Sequence, residues 1–128
     1  MQVELITPEK ILFSAQAQMV VVPGTLGDFG VLPGHAPFVS TIRPGVITID
    51  TEDGQQRRVA VIGGLAEVVP ERCTVLAEYA VDCTGISQTD VQTRIEKAKE
   101  DIAVAQTDSQ RALAEKRLLL AETLQANI

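Results

Sequence analysis

Tryptophan is absent from this chain, tyrosine occurs once, phenylalanine three times and histidine once. Four scattered aromatics cannot build a base-stacking platform. Acidic residues outnumber basic ones 17 to 11, so the electrostatic footprint that nucleic acid demands is missing too. The two cysteines, Cys73 and Cys83, match neither a CxxC redox pair nor a zinc half-site. They read as unpaired residues in a reducing, cytoplasm-like compartment, and His35 alone cannot found a multi-histidine metal site. Long apolar runs are also lacking. Met19 to Pro23 and Val59 to Ile62 fall far short of the roughly 20 residues a membrane span needs. The N-terminal segment lacks the basic-then-apolar layout of a signal peptide. Nucleic-acid binding and direct membrane insertion are therefore not expected, and no cofactor or metal is implied.

Glycine and proline are absent from only one part of the chain. All nine glycines and all six prolines lie within residues 1–85, and the remainder is rich in Ala, Leu, Gln, Glu and Lys/Arg. The division predicts a β domain over 1–86 and a helical domain over 87–128. Acidity belongs to the first part, which holds 10 of the 17 acidic residues but only 5 of the 11 basic ones. Short runs rich in Val, Ile and Thr predict strands at 3–6, 17–22, 39–42, 46–50, 58–63, 65–69 and 74–79. Asp53-Gly54 marks a hairpin, and Arg43-Pro44-Gly45 a further turn. This spacing suits a sandwich or flattened barrel.

In the second part, Thr89-Asp90-Val91-Gln92 and Thr107-Asp108-Ser109-Gln110 both fit a capping box and predict two helix starts. Val91, Ile95, Ala98, Ile102 and Ala105 form one apolar stripe, facing Leu113, Leu120 and Leu124 with Ala114, Leu118 and Ala121 beside them. A short connection makes the pair antiparallel, and the stripe reads as a private seam between the helices. So thinly apolar a hairpin is expected to favour its closed form only modestly.

Residues 24–38 form a loop of glycine, proline and apolar residues with no Lys or Arg. Neither the phosphate-cradling Gly-Lys-Ser/Thr nor the dinucleotide Gly-x-Gly-x-x-Gly spacing occurs in it. What remains is a rim of Leu26, Phe29, Val31 and Leu32 with one acid, Asp28, and one imidazole, His35. That composition suits adhesion better than reaction.

Thr7-Pro8, the run from Gly27-Asp28-Phe29-Gly30 through Val31-Leu32-Pro33-Gly34-His35-Ala36-Pro37, Gly63-Gly64-Leu65-Ala66-Glu67-Val68 and Thr74-Val75-Leu76-Ala77 occur in this order ahead of a two-helix tail. With them the chain resembles the ε subunit of the F-type ATP synthase, equivalent to the mitochondrial δ subunit. The resemblance covers nearly the whole chain. It implies an α+β fold, an antiparallel β-sandwich of about ten strands followed by an antiparallel αα-hairpin, and a non-catalytic rotor subunit beside γ and the ring of c subunits.

By the same resemblance, Asp28, Phe29, Val31, Leu32 and His35 are the residues expected to meet the c ring. Arg111, Lys116 and Arg117 are expected to face acidic segments of the catalytic β subunits, as a weak brake on ATP hydrolysis. The implied location is peripheral, on the cytoplasmic face of a bacterial plasma membrane. Plainer readings stand beside these: Asp28 accepts a turn N–H, His35 packs its own loop, and the helix charges are a solvated face. ATP-binding members carry Ile/Leu-Asp-x-x-Arg-Ala at the first helix start, whereas this chain reads Ile86-Ser87-Gln88-Thr89-Asp90 with Arg94 displaced. Nucleotide sensing is not expected.

Overall fold

The computed structural model describes residues 1–127; Ile128, the last residue of the expected helical domain, lies outside the described residues. Seven strands precede two helices: β1 (Gln2–Ile6), β2 (Ile11–Gly24), β3 (Gly27–Val31), β4 (Phe38–Thr41), β5 (Gly45–Thr51), β6 (Gln56–Val69), β7 (Arg72–Asp82), α1 (Gln88–Val104) and α2 (Asp108–Ala126). The expected sandwich is present, with seven strands in place of about ten. The difference lies in β2 and β6, which run for 14 residues each and serve several partners apiece. β2 pairs with β1, β5 and β3 along successive stretches. β6 pairs with β7 from Val59 to Val69 and, on its other edge, with β5 and then β4.

The segments 58–63 and 65–69, expected as separate strands, are one strand that bends at Gly63 and Gly64. Both have positive φ, +70° and +113°, and a Cβ on Gly64 would stand 1.8 Å from the carbonyl oxygen of Leu76. Only glycine allows that approach. β3 and the first half of β2 were not legible as strands in the sequence. β1 closes the fold by pairing antiparallel with β2 and parallel with β7, so one ladder departs from the expected antiparallel pattern. The Asp53-Gly54 turn is present, with Thr51 N–H donating to Gln55 O at 2.9 Å and Gly54 N–H to Thr51 O at 3.1 Å.

Alternate residues point inward and fill one core, centred on Val3, Leu5, Val20, Ile47, Ile49 and Val75, all fully buried or nearly so. Cys73 lies within it, and burial pushes its thiol up to about 11. Strand β6 breaks the alternation. Val59 and Val61 face that core, while Ala60 and Ile62 are buried on the opposite face, beneath Leu120, Ala121 and Leu124 of α2 and Val91 and Ile95 of α1. The helical seam is therefore shared with the sheet, not private, and the hairpin lies folded down.

The cap of helix α1 lies two residues before the expected one. Ser87 is the N-cap, accepting from Asp90 N at 3.1 Å while its own N–H donates to the Asp90 carboxylate at 3.2 Å. Ile86 before the cap and Val91 within the first turns both join the apolar cluster, a hydrophobic staple that decides the register. Thr107 caps α2 as expected, but Gln110 accepts from Gln106 N, one residue earlier than the expected box. Toward the hairpin tip the stripe thins: Ile102 is half-buried, and Val104 and Leu113 are exposed.

Leu124 is fully buried where hairpin and sheet meet, and Cys83 lies in the same cluster with its thiol also pushed up by burial. Leu124→Ala is expected to cost about 2–5 kcal/mol. It should also speed alkylation of Cys83 more than about tenfold, because the loss falls on hairpin docking. Cys73 should stay unlabelled in the native state. Thiol mass spectrometry at pH 8 together with urea unfolding reads both effects.

Candidate functional site

Two regions hold the nominated residues. The first is one end of the sandwich, where the β2–β3 hairpin, the 32–37 loop and β4 come together. The loop is pinned at its middle, where Gly34 N–H donates to Pro70 O at 2.7 Å, and closed on itself by a turn in which His35 N–H donates to Leu32 O at 3.1 Å. The hairpin is tied to the end of β4, with Thr25 N–H donating to Thr41 O at 3.1 Å and the two threonine hydroxyls 2.8 Å apart. Phe29 meets Phe38 edge to face at 5.0 Å, and His35 lies 6.5 Å from Phe38. Leu26 is 103% exposed at the tip, and Leu32, Phe38 and Val39 are exposed around it. The result is a fixed apolar surface rather than a flexible loop.

Of the five residues nominated for this surface, Asp28, Phe29, Leu32 and His35 reach it to differing degrees. Val31 does not. It is fully buried, because strand alternation turns it into the core while Gly30 faces out. Asp28 is not a lone carboxylate, for its Oδ1 accepts from Arg43 Nη2 at 2.5 Å. The His35 Nδ1 lies 2.8 Å from Ala36 O, so the ring packs its own loop. Phe38, Val39 and Arg43 escaped the sequence reading. A signal for Arg43 existed: it is the sole Lys or Arg between Lys10 and Arg57.

The second region is the helical face. Arg111, Lys116 and Arg117 are all exposed. In the folded-down hairpin Lys116 Nζ stands 4.0 Å from the Glu78 carboxylate, a weak pair across the helix–sheet junction. Arg117 borders a groove of ≈ 390 Å³ between α1, α2 and β7, with Tyr79, Arg94, Lys97 and Asp101. The displaced Arg94 thus reaches the groove all the same. Asp101 offsets part of its positive charge, bonding Lys97 at 2.8 Å and raising the Lys97 pKa. No cluster of three or more His, Cys, Asp or Glu fit to hold a metal occurs among the described residues.

The β-sandwich domain of the ATP synthase delta/epsilon chain, as a family model, matches residues 1–82. The ATP synthase epsilon chain of Rhodospirillum rubrum is 46% identical over 123 residues, covering 96% of this chain and 92% of that protein. That of Mesorhizobium japonicum is 44% identical over 125 residues, covering 98% and 93%. The chain belongs to the ATP synthase epsilon family. It is an accessory subunit of ATP synthase, not itself catalytic.

Two solved assemblies contain chains of the same fold. One is the Euglena gracilis mitochondrial ATP synthase, OSCP/F1/c-ring, with a TM-score of 0.66 at 22% identity, covering 97% of this chain and 78% of that one. The other is the central stalk and c-ring of the Tetrahymena thermophila mitochondrial ATP synthase, with a TM-score of 0.60 at 15% identity, covering 98% and 93%. No helix of the epsilon chain described here is long and apolar enough to cross a membrane.

The junction between sandwich and hairpin is held by Asp82. It pairs with Arg57, whose guanidinium lies 5.1 Å from the Phe13 ring centroid, and accepts from Thr84 N at 2.8 Å. Partial burial pushes the Asp82 carboxyl up, but Thr84 and Arg57 together outweigh it and hold the pKa below the ordinary 3.8. A depressed folded pKa adds stability above the unfolded value and loses it as pH falls through the folded one. Asp82→Asn should therefore be less stable near neutrality, by under about 1 kcal/mol for so exposed a pair. The deficit should close as pH falls below the ordinary 3.8 and on through the depressed folded value. Urea midpoints across pH check both.

Proposed function

We propose that this chain acts on the rotor of the synthase, linking γ to the c-subunit ring and so coupling proton transport to ATP synthesis. The observation that carries the reading is the fixed apolar end built from Leu26, Phe29, Leu32, Phe38 and Val39 around the Asp28–Arg43 pair. A surface of this kind, held by backbone bonds on a sheet scaffold, suits docking against another protein. Its ring-facing residues are Asp28, Phe29, Leu32 and His35, with Val31 supporting them from beneath. The two assemblies of like fold contain a c-ring, which supports a place on the rotor. The setting is the cytoplasmic face of a bacterial plasma membrane, in keeping with the bacterial relatives. Phe29→Asp places a charge at the half-buried foot of the surface, where Phe29 also packs against the sandwich core, so the variant is used only after its melting temperature shows that it folds. Membranes carrying it should hold the catalytic sector weakly and lose proton-coupled ATP synthesis; unchanged coupling at full occupancy would overturn the reading.

Residues 1–86 are the attachment unit in this reading, and residues 87–128 the regulatory one. When the hairpin leaves the sheet, Arg111, Lys116 and Arg117 are free to meet acidic segments of the catalytic subunits. Folded down, Lys116 and Arg117 lie toward Glu78 and Asp101 instead. Three cations on one short helix make a weak brake. Alanine at all three positions should raise ATP hydrolysis by the assembled complex less than about tenfold, a factor worth ~1.4 kcal/mol. A larger rise would mean a stronger brake, and no rise would remove these residues from it.

A further inference from the structure

One oxygen of the Asp28 carboxylate is held, and the group that holds it reaches further than one salt bridge. Arg43 sits in the break between β4 and β5, where its N–H donates to Pro23 O at 2.9 Å. Its Nη1 donates to Gly24 O at 2.6 Å and its Nη2 to Asp28 Oδ1 at 2.5 Å. One guanidinium therefore bridges the last residue of β2 and the second residue of β3, the two sides of the hairpin that carries Leu26. Gly24 and Asp28 lie just before and after the turn.

Gly24 is also where the aromatic cluster rests. A Cβ there would stand 2.9 Å from the Phe29 ring and 2.8 Å from Gly27 O, so the ring lies directly against the Gly24 backbone. The peptide that Arg43 grips from one side is the one Phe29 covers from the other. Phe29 in turn sets Phe38 at 5.0 Å, with His35 beyond it.

We propose that Arg43 is the positioning residue of this docking end and that Asp28 acts through Arg43 rather than as an independent partner for a cation on the ring. The proposal rests on the reading of that end as a docking surface. A partner approaching it meets a charge-balanced pair, with Asp28 Oδ1 held by Arg43 and the carboxylate still 61% exposed, beside an aromatic step held at a fixed height. Lysine cannot substitute: it is a point charge on a flexible stem, whereas the planar fork satisfies two acceptors in one fixed geometry.

The test uses the full chain in two arms. In the first, the NOE between the Phe29 and Phe38 rings is followed by NMR in the isolated subunit. It should be strong in the parent and weakened in both Arg43→Ala and Arg43→Lys, with the melting temperature moved little. In the second, the affinity of each variant is measured for synthase membranes stripped of this subunit. Arg43→Ala, Arg43→Lys and Asp28→Ala should each bind about three- to tenfold more weakly, and Asp28→Ala/Arg43→Ala should be no weaker than the worse single variant. Full affinity in Arg43→Lys, or losses that multiply in the double variant, would overturn the proposal, the second because Asp28 would then have its own partner. Weakened binding of Phe29→Asp with none in Arg43→Ala overturns only the role of Arg43. Undiminished binding of every variant, Phe29→Asp included, overturns the docking reading with it.

Discussion

Four consecutive residues of β6, Val59 to Ile62, are buried on both faces of the sheet, and the arrangement of the whole molecule depends on that. A sheet of a two-layer fold normally has one face for water and alternates accordingly. Here the inward pair closes the sandwich core and the outward pair, Ala60 and Ile62, needs a second cover. Leu120, Ala121 and Leu124 supply it. At about 25 cal/mol per Å² of apolar surface removed from water, a patch of this kind favours the folded-down hairpin without locking it. The small residues Ala60, Ala98 and Ala121 let the helices lie close, and they limit the contact area for the same reason.

The opposite end of the sandwich is built by a different constraint. β4 and β5 face β6 in the same register, as though one strand had been interrupted at residues 42–44. The interruption coincides with the bend of β6 at Gly63 and Gly64, where Ile42 N–H still reaches Gly64 O at 3.1 Å. Pro44 ends the ladder, and Gly45 follows because a Cβ there would stand 2.8 Å from that of Pro23. The broken strand is what releases Arg43 from the sheet. Paired in the ladder, its backbone would not stand beside Pro23, nor its guanidinium beside Gly24 and Asp28.

The sequence carried the parts of this fold that depend on local chemistry. Turn residues marked Asp53-Gly54, alternation marked Val46 to Asp50, and the change of composition at Gly85 marked the passage from strands to helices. It carried the parts that depend on distant contacts less well. The run Val59 to Ile62 read as a strand, but periodicity alone cannot say that both of its faces are covered. Both Ser87 and Thr89 have acceptors at capping spacing, and the choice fell to Ile86 and Val91 meeting the sheet. The adhesive loop was legible as a composition, yet Val31 could be assigned to the core only once β3 was known to be a strand. Arg43 was legible only as a turn residue, since the 15 residues separating it from Asp28 are bridged by tertiary folding.

Closure of the sandwich through β1 sets the order in which it can be made. The parallel ladder joins Gln2 to Arg72 and Ile6 to Leu76, the first strand to the last. On a ribosome the first strand must therefore wait while five others emerge, one edge paired with β2 and the other open until β7 arrives. Such sequence-distant pairing is entropically late and slow. The hairpin emerges after β7 and lands on a sheet already complete. Its docking thus follows completion of the sheet, and it is the first contact that can be undone without reopening the ladder of strands beneath.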